Sequence, residues 1–308
     1  MKANRVAIIG ECMVELQKSG DTVKQSFGGD TLNTAVYLSR LTTQHGIETA
    51  YITGLGKDPF SREMLKAWQD ENINTDLVQI SDTKLPGIYA IETAADGERS
   101  FYYWRNDAAA KFWLHDIEIL PLANELSQFQ WIYLSGISLA ILPEECREKL
   151  FDALLLCHQD GVKIAFDNNY RPKLWDSADI ARDTYLKFMS LTDMAFLTFD
   201  DEVMLYGDTH VNQAIERAER CGIKEIVVKR GAEPSLIVDA GQREEVAATK
   251  VAKVVDTTAA GDSFSAGYLA KRLTGGTPQD SAQLGHKVAG TVIQHRGAII
   301  PLDAMPHL

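Results

Sequence analysis

Short apolar runs alternate along the chain with longer segments in which apolar residues recur at helical spacing. Several short runs are apolar along their whole length, which is typical of strands covered on both faces. The predicted strands are residues 6–9, 50–54, 131–134, 162–166, 194–197 and 225–229. The predicted helices are residues 31–41, 59–71, 143–159, 179–190 and 211–221. This alternation predicts an α/β fold, a three-layer αβα core in which helices cover both faces of a mainly parallel sheet.

Proline and glycine mark several predicted helix ends. Pro59 and Pro143 suit a first helical turn, because the missing N–H of proline has no acceptor to lose there. Gly161 and Gly222 follow helical patterns and suit left-handed stops. These residues support the helix boundaries given above.

Two segments break the alternation and predict a small extra sheet. Residues 87–93 and 98–104 are predicted to form strands on either side of Asp96-Gly97, a pair typical of a tight hairpin turn. Residues 13–27 are too rich in β-formers for the helix expected after the first strand. We therefore predict an antiparallel lid, from about residues 12–27 and 86–105, inserted in one domain that spans residues 1–308. Such a lid would cover a ligand at the carboxyl ends of the parallel strands.

Charge and cysteine content narrow the class of partner. The chain has 308 residues and a formal net charge of −12, which argues against nucleic acid but permits a small anion held by a local basic cluster. The four cysteines are far apart without a C-x-x-C pair, which favours reduced thiols over a zinc site. We see no signal-peptide pattern and no apolar run of the ~18 residues that span a bilayer. The sequence thus predicts a cytoplasmic protein with no membrane partner.

The most specific chemical pattern lies in residues 254–268. A short β segment is predicted to end near Asp256, and a helix follows. Three small residues at the start of that helix form a predicted anion hole, in which backbone N–H groups, those of Ala260 and Gly261 above all, approach a phosphate: Ala259, Ala260 and Gly261. Asp262, in the first turn, is placed to take a proton from a hydroxyl that attacks phosphorus. The helix dipole is expected to keep it ionised, and a helix cap is the alternative role.

These residues carry a family resemblance. Residues 256–262 (DTTAAGD) resemble the C-terminal signature of the ribokinase/PfkB family of sugar kinases. Residues 27–35 (FGGDTLNTA) resemble its first signature, a Gly-Gly turn followed by a helix that bears Asn33. With the hairpin between them, the resemblance covers essentially the whole chain. It implies a ribokinase-like fold and an ATP-dependent sugar kinase whose catalytic base is Asp262.

Further segments resemble the branch of this family that phosphorylates sugar acids. They are residues 10–15, 101–106, 134–140, 166–172 and 228–232. The resemblance implies transfer of the γ-phosphoryl group of ATP to the C6 hydroxyl of 2-dehydro-3-deoxy-D-gluconate, in sugar-acid catabolism.

A sugar acid needs a counter-charge for its carboxylate. Arg105 ends the lid hairpin beside Tyr103, and Arg171 follows a strand, so both suit bidentate carboxylate binding; surface ion pairs are the alternative. Tyr103 and Arg105 share one strand face, which Tyr89 of the partner strand could join; packing of the lid or a subunit contact is the alternative for these aromatics. By resemblance the substrate-binding residues are Gly29, Asp30, Asn33, Tyr89, Tyr103, Arg105, Arg171 and Asp262.

The resemblance also implies the nucleotide side. The residues expected to bind ATP are Asn169, Arg171, Lys229, Gly231, Ala259, Gly261 and His286. Gly231 would allow a tight turn at this loop. For Lys229 the alternative is that it only ends its strand and does not contact ATP. His286 lies on a predicted helix, residues 279–295, where packing explains it equally well.

Metal ions are expected because phosphoryl transfer from ATP needs charge neutralisation. Glu202 is the candidate Mg²⁺ contact through water, although Phe199 stands where the family often has the Asn of Asn-x-x-Glu. Many relatives also bind a monovalent cation beside the anion hole. Asp256 is the candidate residue for K⁺.

Other interpretations remain open. The nearest is a family kinase for another sugar, such as a fructokinase or ribokinase. A nicotinamide-dependent oxidoreductase would need G-x-G-x-x-G after the first strand, which residues 10–15 lack. A sugar-acid sensor without catalysis conflicts with the intact Asp262 motif. A projecting sheet edge commonly becomes a subunit contact, so we also predict a homo-oligomer formed through the lid.

Overall fold

The computed structural model describes residues 4–19, 22–93 and 99–308, and within them most strands belong to one main sheet. The strands of the main sheet are β1 (Arg5–Ile9), β4 (Glu48–Ile52), β6 (Ile73–Asn74), β10 (Trp131–Ser135), β11 (Lys163–Asp167), β12 (Met194–Thr198), β13 (Glu225–Lys229), β14 (Ser235–Asp239) and β15 (Gln242–Val246). The lid strands are β2 (Met13–Ser19), β3 (Thr22–Gly28), β8 (Ile88–Thr93) and β9 (Arg99–Trp104). A two-stranded sheet pairs β5 (Gly54–Leu55) with β7 (Gln79–Ile80).

The main sheet is parallel except at one edge. Its order is β15-β14-β13-β12-β11-β10-β1-β4-β6, and only β14 and β15 run antiparallel to their neighbours. The carboxyl ends of β1, β10, β11, β12 and β13 therefore lie along one edge. Loops leaving that edge are the ones placed to build a ligand site.

Helices cover both faces of the main sheet. They are α1 (Asp30–Thr42), α2 (Pro59–Asp70), α3 (Ala109–Phe112), α4 (Ile119–Leu126), α5 (Gly136–Ala140), α6 (Glu144–Gln159), α7 (Ala178–Met189), α8 (Phe199–Tyr206), α9 (Val211–Arg220), α10 (Ala260–Leu273) and α11 (Pro278–Val292). Short 3₁₀ turns span Thr43–His45, Pro172–Leu174 and Leu302–Ala304.

Alternate side chains of each strand enter opposite cores. Ala7 and Ile9 of β1 pack with α4 to α9, whereas Val6 and Ile8 pack with α1, α2, α10 and α11. Successive side chains of a strand point to opposite faces of the sheet. Because both faces are covered by helices, the strands need apolar residues at every position. The predicted three-layer core is confirmed.

The lid consists of two hairpins. β2 pairs with β3 and β8 with β9, both antiparallel, and the hairpins join where β2 runs parallel to β8. The predicted small antiparallel sheet is therefore confirmed, although its β2–β8 pairing is parallel. The predicted Asp96-Gly97 turn lies outside the described residues.

Each predicted helix and strand of the core is present, with ends shifted by at most three residues. Gly161 and Gly222 follow helices with φ of 79° and 91°, as predicted for left-handed stops. The prediction that Pro143 lies in the first helical turn is wrong, because Pro143 is the N-cap that precedes α6.

The predicted β segment ending near Asp256 is wrong. The N–H groups of Val255 and Asp256 both donate to the carbonyl of Ile293, just after α11, at 2.7 and 3.2 Å. The segment is therefore hydrogen-bonded to a helix end and pairs with none of the described strands.

Each of the four cysteines lies in the described residues and is a thiol, not half of a disulfide. Among the described helices, none is both long and apolar enough to cross a membrane.

Candidate active site

A cavity of about 980 Å³ lies at the carboxyl edge of the main sheet, between the lid and the N-termini of α1 and α10. Its size suits a small-molecule ligand. The structure brings to this cavity every residue predicted to bind substrate, together with Asn169: Gly29, Asp30, Asn33, Tyr89, Tyr103, Arg105, Arg171 and Asp262.

Asp262 joins the two signature helices. Its Oδ2 accepts a hydrogen bond of 2.8 Å from Asn33 Nδ2 of α1, and Thr34 Oγ1 donates to its carbonyl at 3.4 Å. The N-cap of α10 is Ala259, which makes no side-chain cap. The carboxylate of Asp262 thus turns toward Asn33 and the cavity, which argues against the helix-cap alternative.

The ionisation of Asp262 differs from the expectation. Burial, with the Asp30 carboxylate nearby, raises the pKa of Asp262 to about 8, although the Asn33 hydrogen bond opposes the shift. Removing the carboxylate from water therefore outweighs the hydrogen bond from Asn33. A base poised close to neutral pH suits proton abstraction.

Asp30 is held by two donors from neighbouring strand ends. Its Oδ2 accepts from Ser135 Oγ at 2.5 Å and from Asn169 Nδ2 at 2.6 Å. Asn169 adopts a positive φ of 25°, which is uncommon outside glycine, and asparagine tolerates it best. The loops after β10 and β11 are thereby fixed to the start of α1.

Arg105 is buried in an ion pair that sequence reasoning missed. Arg105 is 9% exposed, and its Nη2 donates to Oε2 of Glu11, which is 2% exposed. Burial raises the pKa of Glu11, and the Arg105 charge opposes that shift. One signal was available, since Glu11 follows β1 directly, at the edge where such sites form.

Arg171 is more exposed. Its side chain is 51% exposed, and its Nη1 donates to the Tyr170 carbonyl at 2.8 Å and approaches Asp201 at 3.4 Å. The predicted clamp therefore combines one buried and one half-exposed guanidinium on different walls of the cavity.

The lid aromatics share one face, as predicted. Tyr89 and Tyr103 stack with ring centroids 5.9 Å apart, and the Arg105 guanidinium lies 5.8 Å from the Tyr103 ring. Tyr89 is buried and donates its hydroxyl to Glu15, while Tyr103 is 53% exposed.

The Gly-Gly turn before α1 needs both glycines. A Cβ at Gly28 would lie 2.2 Å from the Tyr89 hydroxyl, and one at Gly29 would lie 2.1 Å from the Glu11 carbonyl oxygen. The glycines allow the loop to pass under the lid.

The predicted anion hole needs one correction. The Ala260 N–H donates to Thr257 O at 3.1 Å, and the Ser263 N–H donates to Ala259 O at 3.0 Å. Of the three predicted amides, that of Ala260 is thus engaged within the turn.

Lys229 lies beside this turn. Its Nζ is 3.5 Å from the position that a Cβ on Gly261 would occupy, and it pairs with the buried Asp167 at 2.7 Å. A cation next to N-terminal helix amides fits a phosphate group.

Five of the predicted nucleotide residues do not line the cavity, namely Lys229, Gly231, Ala259, Gly261 and His286. His286 Nε2 is 2.9 Å from Ser235 Oγ and 3.1 Å from the Val246 carbonyl, and burial lowers its pKa. Its ring also packs edge-on against Phe264, which favours the packing alternative. Gly231 adopts φ of 61° in the turn after β13, as a tight turn requires.

The two predicted metal residues are engaged internally. Glu202 is 3% exposed and accepts from Asn168 Nδ2 at 2.9 Å and Arg217 Nη2 at 2.8 Å. Asp256 accepts from Thr258 Oγ1 at 2.6 Å and from the Gly297 N–H at 2.9 Å.

Glu202 thus fixes the loop of Asn168, and its predicted contact with Mg²⁺ through water stays a prediction. The described residues hold no cluster of three or more His, Cys, Asp or Glu placed to bind a metal.

Comparison with known proteins identifies the family. The model of the pfkB family carbohydrate kinases matches residues 3–305. The chain belongs to this family.

Two curated family members are similar over their full length. Proteins named 2-dehydro-3-deoxygluconokinase from Dickeya dadantii (strain 3937) and Escherichia coli (strain K12) are each 53% identical to this chain over 99% of it. The alignments cover 100% and 99% of those proteins.

Solved structures share the fold. A fructokinase with bound ATP from Xylella fastidiosa matches with a TM-score of 0.84 and 21% identity, over 100% of this chain and 96% of that one. A putative Ribokinase II in complex with ATP and Mg²⁺ from E. coli matches with a TM-score of 0.82 and 21% identity, over 98% and 96%. The predicted ribokinase-like fold is confirmed.

Proposed function

We propose that this chain transfers the γ-phosphoryl group of ATP to the C6 hydroxyl of 2-dehydro-3-deoxy-D-gluconate, giving 2-dehydro-3-deoxy-6-phospho-D-gluconate in sugar-acid catabolism. The observation that carries the proposal is the 53% identity, end to end, to two kinases of that substrate. The cavity supplies an independent chemical argument.

The cavity offers groups for both ends of a sugar acid. The guanidinium groups of Arg105 and Arg171 provide the counter-charge for the carboxylate. Asn33 and Asp30 provide partners for hydroxyl groups. Asp262 lies at the N-terminus of α10, where the hydroxyl to be phosphorylated must approach the phosphate.

The proton and the developing charge have separate partners. Asp262 accepts the proton of the C6 hydroxyl as that oxygen bonds to phosphorus. The amide of Gly261 and the ammonium of Lys229 stabilise charge on the phosphoryl oxygens. Because reaction at phosphorus needs little covalent help from the protein, positioning and charge stabilisation supply most of the catalysis.

ATP fits this arrangement as phosphate donor, with Mg²⁺ neutralising its phosphates when bound. The putative Ribokinase II of the same fold is a complex with both ATP and Mg²⁺. Arg171 and Asn169, on the loop after β11, line the same cavity as Asp262, which supports contacts with both ligands. Because Glu202 is engaged internally, we assign Mg²⁺ chiefly to the phosphate oxygens.

Three further parts of the proposal rest on the sequence. We retain Asp256 for K⁺ and the cytoplasm as the location. We also retain a homo-oligomer formed through the lid, whose β9 exposes Tyr102 and Trp104 by 49% and 62%. Activity with K⁺ against Na⁺, and the mass in solution, test the cation and the oligomer.

A substrate panel tests the proposed function. Initial rates of ADP formation are measured with 2-dehydro-3-deoxy-D-gluconate, its galacto epimer, fructose and ribose. We expect the highest kcat/KM with a keto-deoxy acid, because the cavity presents a buried cation to its carboxylate. A neutral sugar that is the better substrate would overturn the proposal.

A further inference from the structure

The Glu11–Arg105 pair links the lid to the main sheet. Glu11 follows β1 of the main sheet, and Arg105 follows β9 of the lid. Both side chains are at least nine-tenths buried and both line the cavity. A buried ion pair costs desolvation on both sides, so it is poor evidence for stability alone and invites a functional reading.

The pair leaves two polar atoms without partners. Arg105 Nη2 donates a hydrogen bond to Glu11 Oε2. Arg105 Nε and Glu11 Oε1 have no hydrogen-bond partner among the described residues. Buried polar groups are rarely left unpaired, and one explanation is an absent ligand. A carboxylate that receives the Arg105 Nε–H would complete this guanidinium.

The surroundings fix the pair from several sides. A Cβ at Gly87 would lie 2.9 Å from Glu11 Oε1 and 3.1 Å from Arg105 Cβ, so a glycine makes room for both. Lys111 attracts the Glu11 carboxylate and Asp30 repels it. Glu11 therefore has its strongest partner in Arg105.

We infer that Glu11 is a positioning residue that holds Arg105 by one side of its guanidinium, turns the remaining N–H groups toward the substrate carboxylate, and thereby sets the preference for acids over neutral sugars. The inference rests on the proposed function. Glu11 need not touch the substrate for this role, but its removal must weaken the effect of Arg105.

The test is a double-mutant cycle read on two substrates. The variants are Glu11→Gln, Arg105→Met and the double variant, with Glu92→Gln as control. Glu92 is an exposed lid carboxylate whose Oε2 accepts from Tyr102 at 3.2 Å. The substrates are 2-dehydro-3-deoxy-D-gluconate and 3-deoxy-D-fructose, which carries a hydroxymethyl group in place of the carboxylate. The readout is the ratio of their kcat/KM values.

Glu11→Gln is expected to lower kcat/KM for the acid by roughly 10- to 100-fold through KM, because misplacing one binding group can cost on that order. Turnover of the neutral analogue and the control variant should hardly change. In the double variant, the loss for the acid should equal that of Arg105→Met alone, because Glu11 acts through Arg105.

Several results would overturn the inference. Equal losses on both substrates, or losses that add in the double variant, would make Glu11 a general structural residue. Tighter binding of the acid by Glu11→Gln would mean that Glu11 competes with the substrate for Arg105.

The experiment remains informative if one variant folds poorly. It also distinguishes a failure of the proposed function from a failure of the role of Glu11. If Glu11→Gln melts early, Arg105→Met can still be compared with the double variant, which leaves neither charge without its counter-charge. A further loss for the acid in the double variant would show that Glu11 does not act through Arg105. If the wild type does not turn over the acid, the proposed function fails, whereas unchanged selectivity in Glu11→Gln refutes only the role of Glu11.

Discussion

Asp262 combines three properties of a general base: a place in the first turn of α10, a carboxylate oxygen fixed by Asn33, and a raised pKa. Asp262→Asn keeps the shape and removes the proton acceptor. We expect kcat to fall by about 10²–10⁴, while the dissociation constants of sugar acid and ATP change only a few-fold. Rapid-quench turnover and equilibrium binding measure these quantities. A variant that keeps a tenth of the wild-type chemical rate would exclude this role.

The raised pKa of Asp262 fixes the direction of a pH dependence. Only the deprotonated carboxylate accepts a proton, and protonation grows as the pH falls through about 8. In the free enzyme, kcat/KM should therefore decrease as the pH falls from 9 to 6, approaching roughly tenfold per unit. The residual activity of Asp262→Asn, the control, should lack this dependence. A flat wild-type profile would place the pKa of the base lower.

Arg105 is the buried cation of the substrate side. Arg105→Met should raise KM for the sugar acid, equivalent to about 2–4 kcal/mol of binding free energy, because the ligand carboxylate loses a charged donor. KM for ATP should stay nearly unchanged, since none of the residues proposed to bind ATP belongs to the lid. Arg105→Lys keeps the positive charge but loses the planar set of N–H donors. Its KM for the sugar acid should therefore lie between those of the wild type and Arg105→Met. An unchanged KM in both variants would remove Arg105 from the site.

At the scale of elements, prediction succeeded where the sequence carries its own periodicity. The fully apolar runs became β1, β10, β11 and β12 because each feeds two cores. β15 was missed, since Gln242–Val246 is mostly exposed at the sheet edge and lacks an apolar pattern. The segment before Asp256 was misassigned because the backbone N–H groups of Val255 and Asp256 donate to the carbonyl of Ile293, just after α11, a contact that no local pattern reveals.

The lid gives a prediction at the same scale. A lid that closes over the sugar acid excludes water and limits wasteful ATP hydrolysis. Substrate should therefore slow amide hydrogen exchange in β8 and β9, and ATP hydrolysis without sugar acid should be very slow. Exchange in β12, within the core, serves as the internal control. Identical exchange of the hairpin with and without ligand would make it a fixed element.

At the scale of the molecule, the site depends on contacts between distant residues. Glu11 and Arg105 are 94 positions apart, and Lys229 and Asp167 are 62 apart. Neither pair follows from spacing, and Asn33 and Asp262 were placed together only through the family signatures. Composition and periodicity therefore predicted the layers, the resemblance predicted the cavity residues, and the charge pairs required the fold.

We propose that the lid, the α1 turn and α10 act together in phosphoryl transfer to one hydroxyl of one sugar acid. A reaction of stoichiometric ATP, Mg²⁺ and 2-dehydro-3-deoxy-D-gluconate, followed by phosphorus NMR with proton correlation, tests this. We predict a single phosphomonoester coupled to the C6 methylene protons, with one ADP formed for each ester. Inorganic phosphate without an ester, or an ester on another carbon, would exclude phosphoryl transfer to the C6 hydroxyl.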